Sequence, residues 1–508
     1  MAEGGSKFSR FRGFFWPIYK HELFKFVPMI ALFFLISFNY HLLRIAKDTL
    51  IITAPQAGAE ALPFLKVWAI LPSAIFMTFL FTRMSNRFSK ENVFYAMIFI
   101  FLAFFIIFTF FLYPNKDRLQ LDQTANFLQQ HLPAGLKGLI SIVRYWIYSL
   151  FYVFSESWST IMVSVLLWGF ANDVTNVPEA KRFYPLFGIG INAAGIFAGH
   201  FDFSVATYME SHRTALYPLF HFLGAHSNWD QTLFSFMFVI ILFTLLALLI
   251  YKALHLFVFK ERTSSFLTKE GKRQKISLKE TIRYVASSKY LLYIALIVLS
   301  YNIAINLTEV LWKAEMKALF PTPSEYTAYM GRVTFWIGIL ATTASYLFSG
   351  NFIRNFGWKA TAYITPFVFL IMGCGFFYFL FCKEYFQIST LLWGLTPLAL
   401  TVFFGSAQNI LSRASKYTVF DSTKEIAFIP LSAEAQIKGK SAIDGIGSRL
   451  GKSGSSLIMQ VLLLFFQTTI AASPIIFIVL LAIIPVWLIA INRLNRQFQQ
   501  ASSEQSVA

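Results

Sequence analysis

Four short runs place polar and charged residues at helical spacing inside stretches that are otherwise apolar. Tyr40, Arg44 and Lys47 share one helical face, Asn302, Asn306 and Glu309 repeat the spacing, and Asn409, Arg413 and Lys416 repeat it again. Arg449, Lys452, Ser453 and Ser456 form the fourth run, and Arg144 with Glu156, beside Ser155 and Ser159, adds to them. An ionisable side chain in a bilayer-spanning helix costs roughly 2.5 to 3.5 kcal/mol on insertion scales, so it ordinarily faces a bundle interior or an aqueous cavity where it has a partner. Cations outnumber carboxylates here. Arg forks onto phosphate and Lys supplies a mobile point charge, so these runs suit an anion carrying several charged oxygens.

Plainer readings stand beside that one. Arg44, Lys47 and Arg413 near span ends also fit snorkelling to lipid headgroups, and Asn302 with Asn306 fits interhelical hydrogen bonding. Glu156 and Glu309 snorkel less easily and call for an internal partner or a substrate. Lys66 reads as a residue of the outer interface.

The elements that must hold these groups are membrane helices. The chain has 508 residues, 56% hydrophobic, 18% aromatic and only 13% charged. Mean hydropathy is +0.59, and many apolar runs reach the roughly 20 residues that a spanning helix needs. The pattern predicts an all-α integral membrane protein with about twelve spans. Expected span cores start near Phe24, Leu62, Val93, Leu139, Tyr184, Phe234, Tyr290, Tyr329, Ala360, Thr390, Asp444 and Pro474. With the amino terminus inside, the basic connectors Arg83–Lys90, Glu179–Arg182, 259–289 and Arg354–Lys359 all fall on the cytoplasmic side. The net charge of +18 is therefore mostly topology, and a nucleic-acid protein is excluded because the cations are scattered among apolar spans. The first residues lack the short apolar core and cleavage site of a secretory signal.

The basic stretch 259–289 divides the chain. A cytoplasmic segment 1–23, a six-helix half 24–258, the linker, a second six-helix half 290–493 and a cytoplasmic tail 494–508 are expected. Phe38-Asn39-Tyr40 is echoed by Leu299-Ser300-Tyr301, and Phe88 and Tyr95 stand at one common offset from Phe356 and Tyr363. The repeat favours the major-facilitator arrangement, with its site between the halves.

Other motifs carry no chemistry. Gly451-Lys452-Ser453 resembles the end of a phosphate-binding loop, but Ile446 stands where that motif needs glycine, and no strand precedes it. Gly188-x-Gly190 likewise lacks a strand and reads as close helix packing. Cys374 and Cys382 form no paired framework, and the eight histidines show no metal spacing. No cofactor is implied, and no catalytic constellation is present in the pattern.

Nearly end to end, the sequence resembles the nucleotide transporter family of ATP/ADP translocases found in obligate intracellular bacteria and plastids. The resemblance rests on ordered words: Phe15-Trp16-Pro17-Ile18, Lys47-Asp48-Thr49-Leu50, Leu167-Trp168-Gly169-Phe170-Ala171-Asn172, and Glu179-Ala180-Lys181-Arg182-Phe183-Tyr184. Later ones are Ile305-Asn306-Leu307 with Glu309 and Trp312-Lys313, Asn409-Ile410-Leu411-Ser412, Phe420 to Glu425, Lys438-Gly439-Lys440, and Arg449 to Gly454. It implies a transporter in the cell inner membrane with both termini cytoplasmic, importing or exchanging ATP, ADP or other ribonucleotides by alternating access. It further implies that Lys47 and Lys452, from opposite halves, bind the phosphate chain, assisted by Arg449 and Arg413. Glu156 and Glu309 would pair with the lysines when the site is empty; Tyr40, Arg44 and Asn306 complete the expected set. Departures from the family pattern, Ile45-Ala46 before Lys47 and Ser157 after Glu156, leave proton-coupled import of nucleotides open beside antiport. A receptor that binds nucleotide without moving it is the third and weakest reading.

Overall fold

Long apolar stretches in a bilayer must satisfy their backbone groups internally, which here they do as helices. The computed structural model describes residues 16–211, 217–258, 283, 285, 287–347, 349–383, 394–440, 442–443 and 447–507. The first fifteen residues, the basic linker up to residue 282, and the expected span starts at Thr390 and Asp444 lie outside them.

The first half contains α1 (Lys20–Ile52), α2 (Ala61–Ser85), α3 (Lys90–Leu112), α4 (Trp146–Val174), α5 (Val177–Ser211) and α6 (Asn228–Val258). The second contains α7 (Lys289–Leu319), α8 (Pro323–Leu347), α9 (Asn355–Cys382), α10 (397–428), α11 (Ser448–Phe466) and α12 (Ser473–Val507). Nine of the described helices are long and apolar enough to cross a membrane, and α8, α10 and α11 complete the two sets. Helix α12 runs unbroken past residue 494, where a tail was expected. The fourth span starts at Trp146 and not near Leu139, because the backbone leaves the helix at Tyr145, and Lys137–Arg144 forms a separate helix outside the span.

Each half wraps around its first helix. In the first, Asn39 of α1 donates to the Ile240 carbonyl and the Thr244 hydroxyl of α6, both at 3.0 Å, an apolar core's way of fixing helix register. Large side chains such as Phe79, Phe111, Phe257, Ile371, Phe465 and Ile478 remain exposed, as expected of a surface that faces acyl chains.

The halves meet most closely where α5 lies on α8. Glycine makes this possible: a Cβ added at Gly331 would sit 2.8 Å from the Gly199 carbonyl oxygen. Further bonds cross between halves at the end of the bundle away from the termini. Gln460 of α11 donates to the Pro63 carbonyl at 2.9 Å and accepts from the Trp68 indole at 3.1 Å, while the Thr469 hydroxyl reaches Glu60 at 3.2 Å.

Candidate functional site

The face of α1 that carries Tyr40, Arg44 and Lys47 looks into the space between the halves. Lys47 forms an ion pair with Glu156 of α4, and its ammonium lies 4.0 Å from the centre of the Tyr152 ring, one helical turn before Glu156. Burial explains why the lysine takes both a carboxylate and an aromatic face, since a desolvated ammonium needs compensation on every side. The pair is unequally covered: the Lys47 side chain is 7% exposed and that of Glu156 34%. The next residue on α1, Asp48, points the other way, to Lys313 of α7 at 2.8 Å, and that pair is almost wholly buried.

On α7 the expected face is present. Glu309 Oε1 accepts from Arg413 of α10 at 3.0 Å and lies 3.0 Å from Lys313 and 3.9 Å from Arg44. Arg413 also donates to Asn409 at 2.8 Å, which holds its guanidinium in place. One turn before Glu309, Asn306 accepts from Lys66 of α2 at 2.8 Å, and Asn306 and Asn302 each use their amide to donate back to the backbone of their own helix. A carboxylate that holds three cations, with an amide beside it reaching across to the other half, ties α1, α2, α7 and α10 to one point.

Lys452 is exposed on α11, and its charge acts on Glu156 together with those of Lys47 and Lys66. Among the described residues it takes part in no ion pair. Tyr40 shares the electrostatic surroundings of Arg44, Arg413 and Glu156. Arg449 lies one turn before Lys452 on α11. The groups singled out by charge on α1, α4, α7 and α10 are thus gathered at one level of the bundle.

Two residues of the polar runs are elsewhere. Arg144 lies outside the span, where it donates to Asp122 at 2.9 Å and Asn126 at 2.7 Å. Lys416 pairs with Asp421 at 2.9 Å, across the π-helical turn Lys416–Phe420 that it opens. Four residues of the cluster were missed: Lys66, Asp48, Lys313 and Tyr152. Lys66 was assigned to the outer interface, yet it is the one charged residue in the apolar run from Ala61 to Thr82, and that isolation was its signal. Lys313 stands four residues after Glu309, the spacing of a helical ion pair. Six cations, Arg44, Lys47, Lys66, Lys313, Arg413 and Lys452, therefore surround three carboxylates, Asp48, Glu156 and Glu309.

Residues 1–498 match the family model described as TLC ATP/ADP transporter. The chain belongs to that family. Among its relatives, ADP,ATP carrier protein 1 of Chlamydia muridarum (strain MoPn / Nigg) is 40% identical over 506 residues, covering 99% of this chain and 94% of the relative. The plastidic ATP/ADP-transporter of Solanum tuberosum is 40% identical over 486 residues, covering 95% and 74%. Among solved structures, a bacterial homologue of the iron transporter ferroportin in an inward-facing state superposes with a TM-score of 0.51 at 14% identity, covering 96% of this chain and all of that one. This last likeness concerns the fold alone, and the fold of this TLC-family chain is that of a major-facilitator-like transporter.

Proposed function

We propose that this chain exchanges adenine nucleotides, ATP against ADP, across a membrane by alternating access, with the phosphate chain held between its halves. The observation that carries the reading is the excess of cations over carboxylates at one level of the bundle, drawn from both halves. Lys47 and Lys452 approach the phosphates from α1 and α11, and Lys66, Arg44 and Arg413 lie within the same field. In the empty carrier Glu156 holds Lys47 and Glu309 holds Arg413 and Lys313, so a nucleotide enters by displacing internal ion pairs. Such pairs exchange at modest net cost, because each buried cation trades one anionic partner for another.

The same charge excess supports exchange over one-way movement. Turning an empty carrier over would move uncompensated positive charge through a medium of low dielectric, whereas a bound nucleotide cancels that charge. The bonds between halves gather at the end away from the termini, so with both termini cytoplasmic this is a form closed to the outside. A location in a bacterial inner membrane belongs to the same reading.

Proteoliposomes loaded with unlabelled ADP, ATP, GTP, UTP or nothing, then offered each labelled triphosphate, test the proposal. Uptake confined to vesicles loaded with ADP or ATP is expected. Uptake into empty vesicles driven by a proton gradient would instead establish symport, and no uptake in any condition would end both transport readings.

A further inference from the structure

Asp202 takes no part in the cluster described above. It lies on α5 at the seam with α8, with 0% of its surface exposed. Its Oδ1 accepts a 3.0 Å hydrogen bond from the Thr327 hydroxyl of α8, and its Oδ2 has no hydrogen-bond partner among the described residues. The seam around it is tight because of glycine: a Cβ at Gly331 would lie 2.9 Å from Oδ2, and one at Gly199 would lie 2.5 Å from the Phe335 nitrogen.

The charged and titratable neighbours are engaged elsewhere. On α8, Arg332 lies over the Phe203 ring at 4.3 Å, Tyr329 bonds Ser406 at 2.7 Å, Glu325 accepts from Thr322 at 2.8 Å, and Tyr326 feels Asp48 and Glu309. On α1, His41 packs on Gly195, Arg44 faces Glu309, and Asp48 is held by Lys313. On α6, Asp230 is held by Lys116 and Tyr113, and on α5 itself His200 lies beside Ser204. Among the described residues, burial and the Thr327 hydroxyl set the surroundings of Asp202.

A lone carboxylate in such a place costs several kcal/mol, and the ordinary relief is to take up a proton. As a neutral acid it leaves one polar atom without a partner, a cost of only about 1–3 kcal/mol. We propose that Asp202 is a proton-binding site at the seam between the halves, occupied while α5 and α8 are closed together and vacated when they part and the carboxyl meets water. Closure converts a carboxylate and a proton from water into a carboxylic acid, and opening returns the proton; no other bond changes. The closed form thus binds one proton more than the open form. By linkage the closed-to-open ratio rises about tenfold for each unit fall in pH between the titrations of the two forms, and is flat outside that window. The inference stands apart from the nucleotide reading, and its test uses no nucleotide.

The full chain, with Cys374 and Cys382 replaced by alanine, would carry spin labels at Tyr208→Cys and Pro321→Cys, exposed positions where α5 ends and before α8 begins. Pulsed distance measurements in lipid nanodiscs over a pH series then read the closed fraction. In the wild-type background that fraction rises as pH falls, and in Asp202→Asn it stays high at every pH. Thr327→Val, which removes the hydroxyl that donates to the carboxylate, moves the midpoint to higher pH. A wild-type background without pH dependence, or Asp202→Asn retaining it, overturns the proposal. If Asp202→Asn does not fold, an unmoved midpoint in Thr327→Val overturns it equally.

Discussion

Replacing Glu156 by glutamine should make nucleotide bind more tightly while exchange slows. The argument runs through Lys47, whose carboxylate partner in the empty site is Glu156. A hydrogen bond to a charged group is worth about 1.5–3 kcal/mol. Because the Glu156 side chain is 34% exposed, solvent screening brings the competition between carboxylate and phosphate down to about 1–2 kcal/mol. At about 1.4 kcal/mol per tenfold, the variant should bind ADP about 5- to 30-fold more tightly. Exchange should fall because the empty site then lacks the charge that replaces the departing phosphate. Equilibrium binding of labelled ADP to purified protein reads the first effect, and counter-flow in ADP-loaded vesicles reads the second. Binding that is unchanged or weaker in Glu156→Gln, with Lys47→Met weaker as well, would refute the displacement argument: Glu156 would then be a substrate contact or a scaffold for Lys47.

Lys66→Met should weaken ADP binding by about tenfold or more through loss of a charged contact, whereas a residue of the outer interface would leave binding unchanged; the same binding assay decides. Asp48→Asn removes one of the two carboxylates on Lys313, and with Glu309 retained the loss should lie near the low end of the about 3–5 kcal/mol typical of a broken buried pair. It should appear as a larger open fraction in the distance measurement at positions 208 and 321, and Lys313→Gln in the same chain should reverse much of it. Gly331→Ala puts a methyl group 2.8 Å from the Gly199 carbonyl oxygen, so the seam should fail to close and counter-flow should be lost while ADP binding to the purified protein persists.

Hydropathy was enough to read most of the described spans, since a spanning helix announces itself by length and composition. The charged faces on α1 and α7 were also legible, because three- and four-residue spacing survives in an ordinary α-helix. Lys416 shows where that logic stops: it opens a π-helical turn and takes its partner, Asp421, from the far side of that turn, and it is absent from the ion pairs of Glu309. Arg144 was misread for a related reason, as the break at Tyr145 leaves no mark in hydropathy. Lys66 and Asp48 could not be assigned from one helix at a time, since their partners, Asn306 and Lys313, lie in the other half. Several family words turn out to be packing within one half. Arg182 donates to the Pro17 carbonyl at 3.0 Å and pairs with Glu22, and Tyr184 bonds Asn172 at 2.5 Å.

The wide turns bear on how such a chain can change over generations. Lys66 lies within one, Leu65–Ile70, and Glu156 stands three residues before another, Ser159–Leu167, whose first residues Ser159 and Thr160 bond back to the Glu156 carbonyl. Deleting one residue from the Leu65–Ile70 turn would let it tighten to the ordinary pitch: a π-helical turn holds about one residue more than an α-helical one, so the helix beyond keeps its face while side chains inside the turn, Lys66 among them, are re-aimed. The loss would leave composition and hydropathy almost untouched, yet it would re-aim one side of the cluster. A relative that is shorter by one residue within the Leu65–Ile70 turn should therefore be examined for a different cargo.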